Sequence, residues 1–121
     1  MAKKVSDAVL DGALDIIAAA TELYICTAEP ADRAAAISTS LISAHTLASG
    51  DFSKANGDTN GRKITVAEQA NLPITVSGTA THIVLCTATA LVLASTCTSQ
   101  ALTSGGTVTV PAFDDEIADP T

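Results

Sequence analysis

Apolar residues recur at helical spacing only near the start of the chain. Val9, Leu10, Ala13, Leu14, Ile17 and Ala20 form one stripe, while Asp7, Asp11 and Asp15 recur every four residues on the other side. The pattern predicts a helix over residues 7–20, with Ser6 placed to cap its free amides. Repulsion among the aspartates costs about 0.3 kcal/mol per pair, and Gly12 costs about 1 kcal/mol relative to Ala. Such a helix needs a surface to lie on.

Further along, the period changes. Residues 23–27 read as a short strand stopped by Glu29-Pro30, residues 31–36 as a helical turn, and residues 39–47 as a mixed alternation that suggests a strand. Residues 53–61 are almost wholly turn-forming and contain the pairs Asn56-Gly57 and Asn60-Gly61. From Arg62 the period is two, with Ile64, Val66 and Glu68 on one side and Lys63, Thr65 and Ala67 on the other. Residues 74–76 follow Pro73 as a further strand. In residues 81–87, Ile83 and Leu85 face one way and Val84 and Cys86 the other, which predicts a strand covered on both faces. Residues 87–90 link it as a hairpin to residues 91–98, and residues 107–113 form a last strand after Ser104-Gly105-Gly106.

About six strands with no long helices between them predict a mainly β fold, an antiparallel β-sandwich or flattened barrel with an N-terminal α-helix. Parallel topology is excluded, because crossover helices are missing after Gly50. The expectation is one domain over residues 1–121, with the helix at about 7–20, a strand-rich region at about 61–113 and an acidic C-terminal segment at 114–121.

Composition changes what the core must be made of. Ala and Thr together supply 40 of the 121 residues, Trp is absent, and Tyr24, Phe52 and Phe113 are the aromatic residues. Small side chains bury little apolar area, so part of the stability is expected from neighbouring subunits. The longest nearly apolar run, residues 83–94, is too short to span a bilayer.

The net charge of −7 repels nucleic acids and anionic membranes at long range. Every basic residue lies at or before Lys63, whereas Asp114, Asp115, Glu116 and Asp119 crowd the other end. Lys54, Arg62 and Lys63 form a local positive patch around the turn region, and both this patch and the acidic segment are candidate partner contacts.

Little in the sequence suggests catalysis. Cys26, Cys86 and Cys97 lack metal-ligand spacing, and their odd number with no secretory signal fits reduced, cytoplasmic folding as small buried hydrophobes. His82 sits in the strongest strand, where a core or margin role is expected, and His45 lies in the mixed alternation of residues 39–47. The acidic cluster at residues 114–119 lacks the rhythm and central glycine of a calcium loop. No Gly-x-Ser-x-Gly turn occurs, and residues 57–63 precede a strand where a phosphate loop would open a helix. No catalytic, cofactor or metal site is expected.

Several segments together carry a likeness. They are Val5-Ser6-Asp7-Ala8-Val9-Leu10-Asp11-Gly12-Ala13-Leu14, Cys26-Thr27-Ala28-Glu29-Pro30, Ser49-Gly50-Asp51-Phe52 and Gly57-Asp58-Thr59-Asn60-Gly61-Arg62-Lys63. Beyond them come Ser77-Gly78-Thr79-Ala80-Thr81-His82, Thr96-Cys97-Thr98-Ser99-Gln100, Val110-Pro111-Ala112-Phe113 and Glu116-Ile117-Ala118-Asp119-Pro120. Over nearly its whole length the chain resembles a family of small virion structural proteins of tailed bacteriophages, whose members often have Trp where Phe113 stands.

The resemblance implies a capsid decoration or cement-like protein, a homo-oligomer on the outer capsid surface that bridges major capsid proteins. It would be made in the host cytoplasm. A head-tail connector or tail component, and a cytoplasmic protein-binding module, are the alternatives. The family supplies no catalytic residues, and its matching glycines mark Gly61 and Gly78 as candidate tight-turn positions.

Overall fold

The computed structural model describes residues 6–58 and 61–117. In chain order the elements are α1 (Asp7–Ala18), β1 (Glu22–Cys26), α2 (Arg33–Thr39), β2 (His45–Thr46), β3 (Phe52–Asn56), β4 (Arg62–Val66) and β5 (Gln69–Pro73). They continue as β6 (Gly78–Cys86), β7 (Leu91–Leu102), β8 (Thr107–Val110) and β9 (Phe113–Ile117). The sheets are ordered β2-β1-β6-β7, β3-β4-β9 and β5-β8, and their neighbouring strands are antiparallel. The fold is mainly β and sandwich-like with an N-terminal helix, as the hydrophobic pattern predicts.

The two-sided pattern of β6 organises the core. Leu23 stands opposite Leu85 and Ile25 opposite Ile83, so these residues share one face of the sheet. That face joins the larger core, which includes Leu14 and Ile17 of α1 and Ile64 and Val66 of β4. On the other face Tyr24 stands opposite Val84, and Cys26 and Cys86 pack with them beneath Ala36 of α2. Strands β1 and β6 are therefore the buried middle of the molecule, covered by the second sheet and α1 on one side and by α2 on the other.

Helix α1 ends at Ala18, earlier than the apolar stripe implies, because the Ala20 amide turns tightly onto the Ile17 carbonyl at 3.0 Å. Ser6 supports the first turn through its carbonyl, which accepts from the amides of Val9 at 3.0 Å and Leu10 at 3.2 Å. Its side chain makes no cap bond. Asp32 caps α2 by accepting from the Ala35 amide at 2.8 Å.

Several boundaries differ from the sequence expectation, among them the single last strand expected at 107–113, which breaks at Pro111 into β8 and β9 in two different sheets. Residues 53–56 are strand, because Phe52 through Asn56 pair with Val66 through Arg62. The turn itself is closed by the Gly57 amide on the Gly61 carbonyl at 3.0 Å, with Gly61 at φ 73°, and Thr59 and Asn60 lie outside the described residues. The strand expected at 74–76 is reduced to an isolated bridge at Ile74, and the strand of this region is β5, which ends at Pro73 and is made irregular by Asn71 at φ 58°. Residues 39–47 yield only β2 and two isolated bridges, at Ser40 and Ile42.

A further difference concerns the acidic segment. Asp114, Asp115 and Glu116 lie inside β9, where Phe113 opposite Val66 and Ile117 opposite Arg62 anchor the strand to β4. Residues 118–121 lie outside the described residues. Gly78 likewise opens a strand instead of forming a tight turn, and a Cβ there would stand 2.8 Å from Leu41 Cδ2. It permits close approach of the buried Leu41.

Candidate assembly surface

The register of the β3-β4-β9 sheet decides where its charges point. Directly opposed residues share a face, which places Lys54 and Arg62 on the inner side with Ile64, Val66 and Phe113. Lys63, Thr65, Asp114 and Glu116 lie on the outer side. The three cations read as one patch in the sequence are thus divided between two faces.

On the inner side they meet α1. Lys54 pairs with Asp15, and the Arg62 guanidinium donates to Asp11 at 2.8 Å and 3.4 Å. The aspartate stripe that repels itself within the helix is consequently turned to the cations of the sheet beneath it. Arg62 also donates to Asn56 Oδ1 at 2.9 Å, which ties the helix to both strands of the hairpin.

On the outer side Lys63 donates to Asp58 at 2.9 Å and to Asp114 at 3.5 Å, while the Thr65 hydroxyl donates to Asp114 at 2.7 Å. Glu116 accepts from the Asp58 amide at 3.0 Å. The remaining described cation, Arg33, clamps Glu22 with two bonds of 3.0 Å and donates to the Thr87 carbonyl. Each described Lys and Arg therefore has an acidic partner within the chain.

These contacts predict a pH response. The hydrogen bond from Arg62 and its charge hold the Asp11 carboxyl below its ordinary value, and Thr65 with Lys63 does the same for Asp114. A carboxyl whose folded pKa is depressed stabilises the fold above the unfolded pKa, and that contribution is lost as pH falls through the folded value. The urea midpoint of the native chain should therefore fall between about pH 6 and about pH 3. The doubly substituted Asp11→Asn, Asp114→Asn chain should start lower and fall less. Parallel curves for the two chains would show that neither ion pair contributes to folding.

One long span of the chain is neutral. No Asp, Glu, Lys or Arg occurs between Glu68 and Asp114, and that span builds β5, β6, β7 and β8. Its exposed positions are largely hydroxyl-bearing, including Thr96, Thr98, Ser99, Thr107 and Thr109. Beside them opens a cleft of about 270 Å³, lined by apolar groups such as Ile83, Leu102, Val108, Val110 and Phe113, with Cys97 at its wall. The uncharged run is plain in the sequence, but only folding gathers it beside an apolar cleft.

The histidines have local partners. His45 Nε2 lies 2.8 Å from Oε1 of Gln69, a buried polar side chain that also donates to the Ala67 carbonyl. His82 Nδ1 lies 2.9 Å from the Thr81 hydroxyl. The three thiols are unpaired, and burial raises the pKa of each. Among the described residues no three His, Cys, Asp or Glu side chains converge as metal ligands, and no helix is long and apolar enough to cross a membrane. Comparisons with protein-family models, with curated proteins and with solved structures find no match to this chain.

Proposed function

We propose that this chain is a structural virion protein that decorates a capsid and stabilises it by bridging major capsid proteins. The observation that carries the reading is the separation of surfaces. Each described cation is paired with a carboxylate of the same chain, whereas the β5–β8 span offers a neutral, hydroxyl-rich surface beside an apolar cleft. Such a surface can approach another protein without desolvating ions, which removes the largest cost of burying it. The resemblance of nearly the whole chain to small phage virion proteins is what points to a major capsid protein as the partner.

The mechanism is one of repetition. Each copy makes a contact of modest affinity, and symmetry on the capsid multiplies such contacts into high avidity. No step of chemistry is assigned to the chain, and nucleic acid and membranes are not its partners in this reading.

The direct test is co-sedimentation of the purified chain with capsids of the same virus that lack it. Saturable binding is expected, and no binding at any concentration contradicts the proposal. The charged residues supply a second measurement. Lys63 lies on the outer side with its ammonium on Asp58 and Asp114, whereas Arg62 holds α1. The neutral Lys63→Gln should therefore cost little stability and, because the proposed contact is the neutral surface, leave occupancy unchanged at low and high salt. A salt-dependent loss of occupancy would place the contact on the charged outer side instead.

A further inference from the structure

The sheet edges of this molecule are not protected alike. Natural edges are blunted by shortness, by charge or by cover, because their free amides and carbonyls otherwise template another strand. Strand β2 has two residues and β8 four, β5 is broken at Asn71 and ends on Pro73, β3 carries Lys54, and β9 carries Asp114, Asp115 and Glu116. Strand β7 is the exception. It forms one edge of the four-stranded sheet, runs for 12 residues from Leu91 to Leu102, and contains no charged residue and no proline.

Burial across the same sheet points outward from that edge. On β6, Val84, Leu85 and Cys86 are fully buried. Immediately beyond, Leu91, Val92, Leu93 and Ala94 are only half-buried, although Val92 and Leu93 belong to the larger core and Leu91 and Ala94 to the smaller one. Both cores thus reach β7 on its two faces and stop half covered. Alternate residues of an antiparallel edge strand turn their amides and carbonyls away from the sheet. Among the described residues no backbone hydrogen bond joins β7 to any strand except β6.

We propose that the free edge of β7 pairs antiparallel with the β7 edge of a second copy of this chain. A two-fold contact of this kind is self-complementary. It sets no like charges opposite each other, whereas β9 against β9 would oppose acidic residues and β3 against β3 would oppose Lys54. It continues both cores across the joint. The pairing centres on Leu93–Thr96, which stay in regular register with β6, and the displaced residues Cys97, Thr98 and Ser99 twist the strand beyond it and limit the contact to two chains. The inference stands on the edge itself and is independent of whether the wider partner is a capsid.

Sedimentation velocity of the full chain between about 1 μM and about 1 mM should show a mass that doubles with concentration. Thr96→Lys, an exposed edge position, should weaken that association about tenfold or more with an unchanged circular dichroism spectrum. Ser53→Lys on the exposed part of β3 should leave it as in the native chain. Hydrogen exchange of the native chain gives a readout free of substitutions, since alternate amides within residues 91–96 should exchange about tenfold more slowly in the concentrated sample. A monomer at every concentration, whether its edge is empty or awaits a strand of another protein, overturns the proposal. So does association that Thr96→Lys leaves unchanged, or exchange in β7 that does not vary with concentration.

Discussion

Leu85→Ala should lower the free energy of unfolding by about 2–5 kcal/mol, a substantial part of the whole stability of a domain this size. Leu85 is fully buried in β6, opposite Leu23 on one neighbouring strand and Leu93 on the other. Paired strands on both sides hold the backbone in place, so the hole left by the side chain cannot close by collapse. The surroundings offer little that could swing in to fill it, because the chain is rich in Ala and Thr and poor in aromatics. Denaturant titration of the purified variant measures the loss. A change below about 0.5 kcal/mol, as at an ordinary surface position, would mean that β6 is not the buried middle of the fold.

The second large effect belongs to the helix. Leu14→Ala should cost about 2–5 kcal/mol, and Ile16→Ala, two residues on, less than about 0.5 kcal/mol. Leu14 is fully buried against the core, while Ile16 is 62% exposed on the outer face with Val9. The contrast separates docking from helix propensity, since both variants replace a large apolar residue with Ala in the same helix. Equal losses would show that α1 does not lie on the sheet by its Leu10, Leu14 and Ile17 face. Arg62→Glu should destabilise in the same direction by facing Asp11 with a second carboxylate, and Lys63→Glu would do so beside Asp58 and Asp114, which is why neutralisation of Lys63 is the change to use when docking is tested.

What the sequence disclosed follows from which patterns are local. Alternation in residues 83–86 determines that β6 has two apolar faces, because period two needs no partner to be read. The apolar side of α1 was legible at Leu10, Leu14 and Ile17, with Ala20 just beyond its end, whereas Val9 and Ala13 of the same expected stripe are exposed. Its polar side was not, since nothing near Asp11 and Asp15 in the chain announces Arg62 and Lys54, which lie in the opposing hairpin.

The acidic run at residues 114–116 reads as a solvated segment by composition, yet it becomes a strand because Phe113 and Ile117 flank it at the spacing β4 requires. Polar residues 53–56 were drawn into β3 by pairing with β4, which overrides their turn preference. The candidate surface was legible only as a charge-free run, because its cleft is built where β6, β7 and β8 meet.

We propose that this domain works by lying on a protein lattice, and a reconstruction of the virus particle tests that most directly. Ordered copies on the outer capsid, bridging major capsid proteins through the neutral β5–β8 surface, are the expected result. Copies confined to the neck or tail, or none on the particle, would contradict it.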